Sequence, residues 1–209
     1  MHKLPKPSAV ERVAGSLAIE VVGTMLGAWT GGVFAPLLPI LAKSIASTRQ
    51  KERIEAYLIA VGTILEEHKA QLEKLSDSQY KVINEAIAAA FQTTHDAKLL
   101  FLQHAVRNAL FTKDLEPNEA TVLSRVLRDI SAEEAFFVVK HFGRQFVHIS
   151  SEANDSTEVL TVPSDTRDAR TVGSLVALGL LVVGEPTFGQ QLRFSATAAK
   201  LIVLLRDAA

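Results

Sequence analysis

Cysteine is absent from the chain, which removes disulfides, thiolate zinc sites, iron–sulfur clusters and cysteine nucleophiles. A basic surplus is missing too: 22 Lys and Arg stand against 23 Asp and Glu. A dedicated nucleic-acid binder usually carries such a surplus, or at least a basic stripe. The sequence contains no GxxxxGK(S/T) or GxGxxG phosphate cradle, no HExxH pair and no GxSxG nucleophile elbow. Its six histidines, His2, His68, His95, His104, His141 and His148, show no metal-ligand spacing. His141 and His148, seven apart, are expected on one face of a helix. No catalytic residue, cofactor or metal is therefore expected, and the chain reads as a non-enzyme. What remains is a chain of 209 residues with 48% hydrophobic and 22% charged residues, enough to bury a substantial core.

The most unusual stretch is Val22–Ala35, VGTMLGAWTGGVFA, where Gly23, Gly27 and Gly31 fall four apart and Ala35 continues the series. A glycine inside a helix costs roughly 1 kcal/mol relative to alanine, so three on one face need a reason. Small residues at this spacing let backbones approach closely, in a soluble core or between helices packed in a membrane. The stretch lies within the chain's long uncharged run, 22 residues from Val21 to Ala42. A straight helix of that length would span ~33 Å, against a bilayer core of ~30 Å. Pro36 and Pro39 break such a helix near Ala35. The expected layout is one helix from about Ser8 to Val33, a proline-marked turn and a second helix from Leu37. Trp29 sits in the middle of the run. Lys3, Lys6 and Arg12 precede it as a secretory leader would require, but Glu11 and Glu20 interrupt the apolar block, so the segment is expected to stay attached.

Ile54, Leu58, Val61, Leu65, His68, Leu72 and Leu75 follow at alternating spacings of four and three, the pattern of a helix packed along a seam. That helix is expected to end near KLSDSQY, where Ser76, Asp77 or Ser78 caps a second long helix over 77–111. The short link makes the two an antiparallel hairpin. Pro117 opens another helix, and Ser131 with Glu134 forms a capping box for SAEEAFFVVKHFGRQF. Residues 150–164 read as a loop, apart from a strand at 158–162. The end of the chain reads as a helix over 167–178 stopped at Gly179, strands at 180–183 and LRFS, and a final helix capped by Ser195. The fold expected is mainly α. Residues 1–47 form a glycine-patterned apolar segment, 48–115 a long helical hairpin, and 116–209 a terminal domain with a two- or three-stranded β-wing.

LVALGLLVVGEPTFGQQLRFSATAAKLIVLLRD resembles the tail of a winged-helix domain: recognition helix, wing and closing helix. In that family the helix can enter the DNA major groove, and phosphate contacts call for Lys and Arg. Here the helix offers Arg167 and Arg170 beside Asp165 and Asp168, and residues 185–191 at the wing tip contain one acid and no base. Arg167, Arg170 and Phe188 are therefore candidate partner contacts, with protein favoured over nucleic acid. The polar stretch 150–164 replaces the compact helix–turn that normally precedes the recognition helix. The middle of the chain, EAIAAAFQTTHDAKLLFLQHAVRNAL and LSRVLRDISAEEAFFVVKHF, is similar to poorly characterised bacterial helical proteins with a small winged end, some of which look like abortive-infection proteins of phage defence. That resemblance spans residues 85–207 and brings no catalytic residues.

These readings lead to a membrane-acting, self-associating effector. Its helical body and winged end would sense a protein signal, phage-derived if the resemblance holds, and its N-terminal segment would permeabilise the membrane. The chain would reside in the cytoplasm and associate conditionally with the inner membrane; Lys43, Arg49, Lys51 and Arg53 flank the run on the side of the body. Gly23, Gly27, Gly31, Ala35, Trp29, Pro36 and Pro39 would form the membrane and oligomer surface. Two alternatives stand beside it: a soluble winged-helix DNA-binding regulator, and a non-catalytic interaction scaffold whose glycines only permit tight packing.

Overall fold

The computed structural model describes residues 48–113, 115–151, 156–184 and 191–207. The glycine series, Trp29, Pro36, Pro39 and Phe188 lie outside the described residues. Helix α1, Thr48–Glu67, buries Ile54, Leu58, Val61 and Leu65 as its seam. The seam does not continue unbroken. His68 leaves helical geometry at φ −116°, ψ 30°, and its ring packs edge-on against Phe111 with centroids 4.9 Å apart. The chain resumes in a single turn, α2, Lys69–Leu72, and Leu72 and Leu75 are only partly buried against the core.

Of the three candidates, Ser76 is the one that caps α3, Asp77–Gln92: its Oγ accepts the Gln79 N–H at 3.2 Å, and the Ser76 N–H donates to Gln79 Oε1 at 2.9 Å. The anticipated single helix to Phe111 is instead two. Thr93 is extended, and its Oγ1 accepts the His95 N–H at 3.2 Å. Side-chain bonding of this kind offers the backbone an alternative to the helix ladder, and paired β-branched threonines favour it. Helix α4, Asp96–Ala109, packs back on α3. The hairpin is correspondingly rearranged: α1 lies chiefly on α4, while α3 is held between α4 and the next helix, α5, Pro117–Asp129.

Helix α6, Ala132–His141, begins with the expected Ser131–Glu134 capping box. It ends short of the expected helix, because a turn at Gly143 leads into strand β1, Phe146–Ser150. FVHIS is rich in β-branched and aromatic residues that suit a strand, and Val147 is fully buried whereas Ile149, two residues on, stands 39% exposed. His141 and His148 are thus on a helix end and a strand, not on one helical face. Strand β2, Val159–Pro163, pairs parallel with β1. Helix α7, Arg167–Ala177, is capped by Thr166 and followed by β3, Leu181–Val183, then β4, Gln191–Phe194, and α8, Ala196–Leu205, capped by Ser195. The sheet is four-stranded in the order β2-β1-β4-β3, with β4 antiparallel to both neighbours. It replaces the expected wing of two or three strands, because β1 and β2 join it.

One hydrophobic cluster runs from Ile54 to Leu205. Helix α8 enters it against α4, α5 and α6. The carbonyls at its C-terminal end, which have no partner within a helix, are met by α4: Asn108 Nδ2 donates to the carbonyls of Leu204 at 2.9 Å and Arg206 at 2.7 Å. Among the described residues no helix is long and apolar enough to cross a membrane.

Gly179 stops α7 with φ +70°. The Leu180 N–H bonds the Leu175 carbonyl at 2.8 Å, and the Gly179 N–H bonds that of Val176 at 2.9 Å, a Schellman closure. Gly179→Ala is expected to lower unfolding stability by about 1–2 kcal/mol through the left-handed backbone it requires. Gly143→Ala, with open space around the added methyl and no such φ, should change it by under about 0.5 kcal/mol, as for most surface substitutions. Urea titration of the two variants checks both.

Candidate functional site

Helices α4, α6 and α7 leave a groove of about 630 Å³ between them, within the size range of ligand and peptide pockets. Its shape follows from apolar residues that occur in adjacent pairs. In α6, Phe136 and Phe137 are neighbours, and successive residues of a helix point about 100° apart. Phe137 is buried, whereas Phe136 stands 58% exposed. In α4 the same holds for Leu99, buried, and Leu100, 52% exposed. Phe136 and Leu100 both line the groove, together with Phe101 and Phe137.

The polar members come from the helix starts and from the end of α6. His95, the N-cap residue of α4, lines the end nearest α1. Glu133 in the first turn of α6 and Arg167 in the first turn of α7 meet at 2.7 Å. The Glu133 carboxyl is held below the usual carboxylate range, first by a hydrogen bond to its own backbone N–H and then by the charges of Arg167 and His95. The opposite end carries His141, whose ring lies 4.7 Å from that of Phe137. Lys140, Asp168 and Thr171 complete the polar lining. The groove thus offers an apolar strip whose principal acid and base already satisfy each other.

Of the candidate partner contacts, Arg167 lies in this groove, engaged with Glu133, whereas Arg170 is exposed and outside its lining. The seam residues Ile54, Leu58, Val61 and Leu65 are core and line no part of it. Sequence reasoning passed over Phe136 and Leu100. The signal was the doubling of large apolar residues in short amphipathic helices, of which only one member of each pair can face the core. Among the described residues no group of three or more His, Asp or Glu side chains is placed to hold a metal ion. No family model, curated protein or solved structure matches the chain.

The Arg167–Glu133 pair is solvent-accessible, with side chains 71% and 40% exposed. A double-mutant cycle with Arg167→Ala and Glu133→Ala should give a coupling of about 0–1 kcal/mol at neutral pH. Because the Glu133 pKa is depressed, that coupling is present above the ordinary carboxylate range and is lost as pH falls through the folded pKa. It should also shrink in high salt.

Proposed function

We propose that the chain is a non-catalytic, self-associating effector that acts on membranes through residues 21–42, and that its helical body senses a protein signal. The observation that carries this reading is segregation. The long uncharged run bears a small residue at every fourth position from Gly23 to Ala35, the spacing that packs helices where lipid supplies no hydrophobic drive between them. The described body, in contrast, has a continuous core of its own and no candidate span. Localisation in the cytoplasm with conditional attachment to the inner membrane, and a role in phage defence of the abortive-infection type, rest on the flanking basic residues and on the family resemblance.

The order α7, β3, β4, α8, with β4 lying between β3 and β1, supports a winged-helix-like reading of the C-terminal end. A protein partner suits this end better than DNA. Val176 on α7 and Val182 and Val183 on β3 are exposed, and the α7 base in the groove, Arg167, is already paired with Glu133. Duplex binding calls for a row of bases, and on α7 only Arg170 remains beside the engaged Arg167.

Dye release from anionic phospholipid vesicles tests the membrane reading on the full chain. Wild type is expected to release dye, and Gly27→Leu to lose that release while its far-ultraviolet spectrum is kept. A wild type that never releases dye, or a Gly27→Leu variant as active as wild type, contradicts it.

A further inference from the structure

We propose that the groove between α4, α6 and α7 is the docking seat of residues 21–42 of the same chain. The seat would exist whether or not the segment also acts on a membrane, so the inference goes beyond that reading.

The first support is where the chain leaves the described body. Helix α1 starts at Thr48, and its first turns are tied to the junction of α3 and α4. Gln50 Nε2 donates to the Phe91 carbonyl at 3.2 Å, Arg53 Nη1 donates to the Thr94 carbonyl, and Arg53 lies 3.6 Å from Asp96. His95, between Thr94 and Asp96, lines the groove. The residues before Thr48 therefore continue from a point beside the groove's α4 end.

The second support is reach. The six steps from Ala42 to Thr48 span at most about 20 Å when extended. A tether that short raises the effective concentration of the run at the groove to the millimolar range, ahead of any partner free in solution.

The third support is chemistry. The run has no charge from Val21 to Ala42 and carries Trp29 and Phe34. Phe136 and Leu100 offer it exposed apolar surface. An uncharged occupant leaves the Glu133–Arg167 pair intact at 2.7 Å, while Lys140 and Asp168 at the groove's edge are exposed and keep their water.

Trp29 is the chain's single tryptophan, so its emission reports on this segment alone. In dilute, lipid-free buffer the full-length wild type should show blue-shifted emission shielded from acrylamide. Phe136→Asp with Leu100→Asp should shift the emission to the red and increase quenching. Ile59→Asp, equally exposed on α1 but outside the groove, should do neither. A wild-type Trp29 already at the solvent-exposed wavelength overturns the proposal, as does a double variant that leaves emission unchanged. Cross-linking provides a test that does not require the double variant to fold. Since the chain has no cysteine, Ala28→Cys with Phe136→Cys can be joined by a short bismaleimide. An intrachain link is expected. Links only between chains would assign the groove to a second copy, and no link would leave it to another partner; either overturns the proposal. Because no lipid is present, these outcomes stand apart from the vesicle result.

Discussion

Helix α3 is the constraint around which the body is built. Val82, Ile83, Ala86, Ile87, Ala89, Ala90 and Phe91 are all buried, and at 100° per residue they cover an arc of about 200°, wider than a single amphipathic stripe. A helix apolar on most sides must be covered on most sides. Helix α5 covers one side, α4 folds back over another after the break at Thr93, and α1 adds contacts of its own. The alanines permit the close approach, since they leave little side chain between backbones. Tyr57 on α1 shows how dry this region is. Its hydroxyl is buried against the Ala86 carbonyl at 3.5 Å, and burial pushes its pKa upward.

The groove is a by-product of the same packing. Helix α4 gives Leu99 and Leu102 to the core, and α6 gives Ala135, Phe137 and Val138. The remaining apolar neighbours, Leu100 and Phe136, cannot turn inward on helices this short. Burying both on another surface would remove them from water at roughly 25 cal/mol per Å², so the exposed strip has a thermodynamic pull toward any apolar segment held nearby. The chain carries one such segment on a five-residue tether, 43–47.

Local chemistry was the most legible part of the sequence. The caps at Ser76, Ser131 and Ser195, the proline opening α5 and the glycine closing α7 each rest on backbone donors, acceptors or dihedrals that two or three neighbouring residues decide. Strands β2, β3 and β4 were legible within a residue or two. The misreadings come from longer-range competition. The apolar stripe of 77–111 keeps helical period across Thr93, so periodicity could not show that a threonine hydroxyl would take a backbone donor there. Strand β1 was read as helix because VVKHFGRQFV is apolar enough for either state, and only pairing with β2 and β4 selects the strand. The groove was illegible because it exists only once three helices separated by up to 80 residues are brought together.

The chain combines an uncharged segment, a body with its own core and an apolar groove beside the first turns of α1. If groove and membrane compete for residues 21–42, weakening one must favour the other by the same free energy. Titrating anionic vesicles into the full chain while following Trp29 emission measures that competition. Phe136→Asp with Leu100→Asp is expected to transfer Trp29 to lipid at a lower vesicle concentration than wild type requires. Identical titration curves, or a variant that needs more lipid, would contradict it.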